Sequence, residues 1–215
     1  MSDRSKDTSS PTPLILAADV GGTKTLLTVR HPDGSVVAEQ RYSSRAFDSL
    51  ETMVQRFLEE SEQPTPRSAC FAVAGPIAEE TGTQRARLTN LPWLMDSSQL
   101  SFTLGIPRTV LLNDFQAIGY SLAILPDSDL SPLHSPPAKA RGPQLVIGAG
   151  TGLGACLVMP DGDDVTSYPS EGGHMSFGPR DRQQRELLDF MQTGAERVSC
   201  ERLISGAGLG AIYRF

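Results

Sequence analysis

Twice in this chain an apolar run enters a turn of glycine and threonine and leaves as a second apolar run, and this repetition limits the fold more than any other feature. The first unit runs from Leu14 to Val29 and turns at Gly21-Gly22-Thr23; the second runs from Leu145 to Met159 and turns at Gly150-Thr151-Gly152. Each reads as strand, glycine turn, strand. Glycine matters because, without a Cβ, it reaches positive φ and lets backbone N–H groups crowd around an anion, and a threonine hydroxyl adds one more donor. One such turn is equally well explained as an ordinary hairpin. Two with the same flanks favour phosphate binding.

Two familiar phosphate motifs are excluded by the residues on the C-terminal side of each turn. Gly150-Thr151-Gly152-Leu153-Gly154-Ala155 fits the loose dinucleotide pattern, but that pattern needs a helix to open at the turn, and Cys156-Leu157-Val158-Met159-Pro160 reads as a strand. Gly22-Thr23-Lys24-Thr25 lacks the G-x-x-x-x-G-K spacing of a P-loop. A third glycine run, Ser205 to Gly210, lies between helical patterns and reads as a helix end and restart.

The intervening sequence alternates between helix and strand signals. Asp48-Ser49-Leu50-Glu51 resembles a capping box ahead of Leu50, Met53, Val54, Phe57 and Leu58 at helical spacing. Ser68 to Ala74 reads as a buried strand, Asp96 to Leu104 as a helix closed by Gly105, Arg108 to Leu112 as a strand, and Phe115 to Ile124 as a helix. Helices are expected from about Arg182 to Gln192 and from about Ala195 to Ile204. The expected organisation is a disordered tail over 1–13, a small α/β lobe over 14–125, a proline-rich connection over 126–144 and part of a larger lobe over 145–215. Five prolines between Pro126 and Pro143 leave that connection without periodicity, and His134 within it reads as solvated.

Composition narrows the function classes. With 215 residues and 39% hydrophobic content the chain can bury a core, and a net charge of −6 argues against a broad nucleic-acid surface, so any anion must be held locally. Cys70, Cys156 and Cys200 form no C-x-x-C motif and read as buried thiols of a reducing compartment. The first 13 residues lack the apolar stretch of a secretory signal and no segment is long enough to span a membrane, so a cytoplasmic location and no membrane partner are expected.

The polar candidates lie at strand ends and turns. Asn113-Asp114 ends a strand, where ligands collect in open α/β sheets, although taken alone the pair reads first as a cap for the helix beyond it. Glu171 and His174 flank two glycines, a turn able to aim both side chains at one ligand. One histidine and one carboxylate fall short of the three protein ligands of a zinc site. A polyhydroxylated ligand suits these donors and acceptors better.

Ala18-Asp19-Val20-Gly21-Gly22-Thr23, Ala72 to Pro76, Leu88 to Trp93, Leu112-Asn113-Asp114-Phe115, Gly148 to Gly154, Ser170 to His174 and Glu201 to Gly206 together resemble the ATP-dependent glucokinases of bacteria and cyanobacteria. These belong to the hexokinase and actin-like ATPase superfamily. The resemblance implies a two-lobed α/β fold of the actin-like, ribonuclease H-like class, and transfer of the ATP γ-phosphoryl group to the 6-hydroxyl of glucose. By the same resemblance Asp114 is the general base, and Asn113, Glu171, His174 and Glu201 hold the other sugar hydroxyls. Ala18, Asp19, Val20, Gly21, Gly22 and Thr23, with Gly150, Thr151 and Gly152, bind ATP, and Asp19 orients the nucleotide's Mg²⁺ through water. Lys24 stands where the family often has asparagine; its ammonium could neutralise phosphate or simply be solvated. A homodimer of the complete protein is compatible with the resemblance, whereas preference among hexoses and ATP against polyphosphate are left open.

The family continues past the point corresponding to Phe215, through a later glycine-rich adenosine-binding segment and a terminal helix. The resemblance therefore implies an incomplete second lobe and predicts that this polypeptide alone phosphorylates poorly or not at all. A non-catalytic sugar sensor or remnant of the same fold is the alternative reading, although the zinc loop and N-terminal DNA-binding helices of such regulators have no counterpart here.

Overall fold

The computed structural model describes residues 13–88, 91–134, 142–192 and 197–215. The N-terminal tail up to residue 12, Thr89-Asn90, residues 135–141 of the connection and the start of the expected helix at Ala195 lie outside the described residues. Contacts divide the chain into two compact units, Met1–Asp114 and Phe115–Phe215.

In the first unit β1 (Ile15–Val20) and β2 (Lys24–Arg30) form the first glycine hairpin, and β3 (Val36–Ser43) is reached through a turn at Gly34. Gly34 has φ 89°, a left-handed backbone that glycine adopts without steric cost. Next come α1 (Leu50–Glu60), β4 (Ser68–Val73), β5 (Ile77–Glu80), β6 (Thr83–Arg87), β7 (Leu94–Asp96), α2 (Ser97–Leu104) and β8 (Arg108–Asn113). The main sheet has the order β3-β2-β1-β4-β8, with β1, β4 and β8 parallel, while β5-β6-β7 form a separate antiparallel sheet.

Period-two alternation places Leu16, Ala18 and Val20 of β1 and Ala69, Phe71 and Val73 of β4 on the buried face. Against them α1 turns Leu50, Met53, Val54 and Phe57, the residues whose spacing predicts the helix. Phe57 and Phe71 are essentially inaccessible, and each contributes about 1.5–3 kcal/mol by burial. Ser49 alone caps α1: its Oγ accepts the N–H of Thr52, so the start is one residue later than the Asp48-to-Glu51 box implies. Asp96 caps α2 by accepting from Ser98 and Gln99, and Gly105, at φ 65°, ends it as the sequence predicts.

The second unit holds most of α3 (Asp114–Ser121), then β9 (Gln144–Ala149), β10 (Leu153–Asp161), β11 (Asp164–Ser170), α4 (Arg182–Gln192) and α5 (Gly206–Arg214). α3 stops at Ser121, and i→i+3 bonds from Leu122, Ala123 and Ile124 tighten its end, so the helical pattern outlasts the helix. β9 and β10 form the second glycine hairpin and β11 pairs with β10 to complete a three-stranded antiparallel sheet.

Residues 197–204 are not helical, contrary to the periodicity there. The amides of Cys200 and Glu201 donate to Met175 O and Gly173 O, Val198 O accepts from Phe177, and Ser199 bridges to Ser176. Backbone groups committed to the 173–177 segment cannot also build a helical ladder. The restart at the third glycine run does occur: Ser205 Oγ accepts the N–H of Gly208 and caps α5. All three cysteines are free; Cys156 is buried, and Cys70 and Cys200 are only partly so, burial raising the Cys70 thiol pKa. No helix among the described residues is long and apolar enough to cross a membrane.

Candidate functional site

The first glycine turn is held from outside the hairpin. Gly21 N–H donates to Lys24 O at 3.1 Å, Ser44 N–H donates to Thr23 O at 3.0 Å, and Ser44 Oγ donates to Gly21 O at 2.7 Å. Ser44 also shares a buried 3.0 Å bond with Thr25 Oγ1. A Cβ on Gly21 would lie 2.8 Å from Lys24 O, so glycine is required here by close approach. Gly21, Gly150 and Gly152 all lie outside the left-handed region, so the expectation that these turns exploit positive φ is corrected: at Gly21 and Gly152 the requirement is steric, while a Cβ on Gly150 would meet nothing within 4 Å. The hairpin consumes the Gly21 amide; no partner for the Gly22 or Thr23 amides is found among the described residues.

The registers Val20↔Val73 and Val73↔Asn113 bring the C-terminal ends of β1, β4 and β8 to one edge of the sheet. Asp19, on the face opposite buried Ala18 and Val20, is exposed at that edge. Asn113 is buried, and its Nδ2 donates to Gly75 O at 3.0 Å. Asp114 is the first residue of α3, where a carboxylate is favoured by the helix dipole.

The second unit gathers three of the other predicted residues. His174 Nε2 lies 3.5 Å from Glu171 Oε2, and His174 Nδ1 lies 3.9 Å from Glu201 Oε1. A one-turn 3-10 segment over Gly172–His174 sets this spacing, with His174 N–H donating to Glu171 O at 2.9 Å. The Glu171 side chain is 70% exposed and that of His174 is 54% exposed, so their pairing adds little to stability and leaves both able to meet a ligand.

Glu201 is the best anchored of the three. Its Oε2 accepts the N–H of Leu153 at 3.0 Å, the residue just past the Gly150-Thr151-Gly152 turn. A Cβ on Gly152 would run into this carboxylate, and one on Gly173 would run into Leu153 O. The turn is closed by Gly150 N–H to Gly152 O at 2.8 Å, and Gly206 N–H at the start of α5 donates to Gly150 O at 2.9 Å. Thr151 is exposed at its tip. A depression of about 420 Å³ borders Thr151 and Glu201 and is lined further by Phe190, Met191, Arg202 and Arg214.

Sequence reasoning missed Ser44, which clamps the first turn, and the Glu201–Leu153 bond. Neither has a local signature, because each joins residues distant in sequence. Among the described residues no group of three or more His, Cys, Asp or Glu is placed to hold a metal ion.

Residues 16–215 match the glucokinase family model. The glucokinase of Nostoc punctiforme is 41% identical over 208 residues, covering 94% of this chain and 60% of that protein. The glucokinase of Synechocystis is 38% identical over 216 residues, covering 93% and 60%. Among solved structures, a glucokinase from an Antarctic psychrotroph superposes with a TM-score of 0.77 at 28% identity, over 94% of this chain and 63% of that one. Balamuthia mandrillaris glucokinase, solved in complex with glucose, shares the fold at a TM-score of 0.75 and 21% identity, over 97% and 63%. The chain thus spans about 60% of the length of the curated relatives it matches. With the match running from residue 16 to residue 215, the chain belongs to the glucokinase family and has its α/β, actin-like ATPase fold.

Proposed function

We propose that this chain binds a hexose, glucose foremost, and transfers to it the γ-phosphoryl group of ATP, giving glucose 6-phosphate at the entry to glycolysis. The carrying observation is the placement of Glu171, His174 and Glu201 in one cluster, with His174 within 4 Å of both carboxylates, beside the Gly150-Thr151-Gly152 turn. Carboxylates accept from sugar hydroxyls and an imidazole both donates and accepts, so this cluster can sort hydroxyl positions.

Asp114 takes the proton of the 6-hydroxyl as its oxygen forms the new bond to the γ-phosphorus; the bond from that phosphorus to the β–γ bridging oxygen breaks, and ADP leaves. The amides and hydroxyl of Gly22 and Thr23 are groups able to hold a phosphate, and so, separately, is the Gly150-Thr151-Gly152 turn; Arg202 and Arg214 give the depression beside Thr151 a matching charge. Exposed Asp19 is the carboxylate that would orient, through water, a Mg²⁺ carried by the nucleotide, which would supply charge neutralisation and be held mostly by phosphates rather than by a protein cage. Free cysteines fit a cytoplasmic setting.

The test is a coupled assay for glucose 6-phosphate, run on this chain and on a fusion carrying the remaining portion of the Nostoc relative, each with and without Asp114→Asn. Turnover that depends on Asp114 in either form supports the proposal. No turnover in both forms, or turnover indifferent to Asp114, refutes it.

A further inference from the structure

Gly148 and Gly154 belong to the second glycine run, yet the turn that could cradle phosphate is 150–152, leaving these two unexplained. They are cross-strand partners in the β9–β10 register. A Cβ on Gly148 would lie 2.8 Å from Phe115 Cζ and 3.0 Å from Cε1, and one on Gly154 would collide with the opposite edge of the same ring. The pair is therefore a seat: two absent side chains on neighbouring strands leave room for one aromatic ring.

Phe115 is the second residue of α3, directly after Asp114. Two further contacts fix the rest of the helix on the same sheet. Gln116 Nε2 donates to Ser167 O of β11 at 2.9 Å. At Gly119, a Cβ would lie 2.8 Å from Cys156 Sγ of β10 and would overlap Ser167 Oγ of β11. Three successive attachment points along α3 leave it little freedom to rotate or slide.

We propose that Phe115 is a positioning residue: its ring, seated on Gly148 and Gly154, fixes the first turn of α3 and so the carboxylate of Asp114. This rests on the reading of Asp114 as the general base. A base displaced by an ångström loses much of its effect while leaving the binding groups untouched, so the signature is a fall in kcat without a matching change in KM.

The experiment compares Phe115→Ala, Phe115→Leu, Gly154→Ala and the Phe115→Ala/Gly154→Ala double variant, in the 215-residue chain and in its fusion to the remaining portion of the Nostoc relative. The measurements are kcat and KM for glucose and amide hydrogen exchange across α3. Phe115→Ala is expected to lower kcat at least tenfold with KM within twofold, and to speed exchange of the 116–119 amides at least tenfold with α1 unaffected. Phe115→Leu should recover part of both. Gly154→Ala should expel the ring and mimic Phe115→Ala, and adding it to Phe115→Ala should cost little more, because the two changes break the same contact. An unchanged kcat in a folded Phe115→Ala protein, or additive effects in the double variant, overturns the proposal. Absence of turnover in the unsubstituted proteins refutes the phosphotransfer reading and the catalytic role of the seat with it; the exchange data then decide separately whether the ring holds α3, unchanged exchange showing that it does not.

Discussion

The carboxylate of Glu201 and the amide of Leu153 are joined by a 3.0 Å hydrogen bond across 48 positions of sequence. The oxygen that makes this bond sits where a side chain on Gly152 would be, while the other oxygen faces His174 at 3.9 Å. One side chain thus braces the second glycine turn and borders the polar cluster, two tasks that separate under substitution.

Glu201→Gln keeps an amide oxygen to accept from Leu153 but loses the negative charge; Glu201→Ala removes the acceptor altogether. Urea unfolding should show Glu201→Ala less stable by about 1–3 kcal/mol, the cost of leaving a partly buried N–H unpaired, with Glu201→Gln much nearer the parent. Both should weaken hexose binding in a calorimetric titration.

Gly152→Ala drives a methyl into the Glu201 carboxylate. It should lower affinity for ATP measured by titration, and the same substitution in the Glu201→Ala background should have a smaller effect, since the obstructed group is gone.

The sequence made the two hairpins legible because their strands are continuous apolar runs on either side of glycine, and α1 legible because Met53, Val54 and Phe57 repeat at helical spacing. It did not reveal β5–β7, whose residues Glu79, Glu80, Gln84 and Arg85 carry no apolar alternation; these strands are held by pairing and by the Arg85–Asp96 ion pair. Residues 197–204 have the spacing of a helix, but pairing with 173–177 takes the carbonyl of Val198 and the amides of Cys200 and Glu201, leaving only a turn through the amides of Arg202, Leu203 and Ile204, a tertiary choice that no local pattern records. In the site, residue types and order named the polar cluster, whereas the clamp by Ser44 and the seat of Phe115 depend on partners far along the chain.

Stability at alkaline pH should depend on Tyr42. Burial, then a 2.6 Å hydrogen bond to Glu60, pushes its phenol pKa from 10.0 up to about 12. The folded state therefore holds the proton more tightly than the unfolded chain. That contribution is whole below about pH 10 and is lost as the pH climbs to about 12. Denaturant midpoints should fall across this window, and Tyr42→Phe should flatten the fall.

Core truncation provides the reference for all of these. Phe71→Ala, at a fully buried position of β4, should cost about 3–5 kcal/mol in urea unfolding, and Gly105→Ala, at φ 65°, about 1–2 kcal/mol.

Titration of glucose into the unsubstituted chain and into His174→Ala and Glu201→Ala, each first shown to be folded by circular dichroism, tests most directly whether the cluster is a hexose site. Saturable binding to the parent that falls at least tenfold in both variants is the predicted result; a folded parent that takes up no glucose, or variants that bind it as well as the parent, would contradict it.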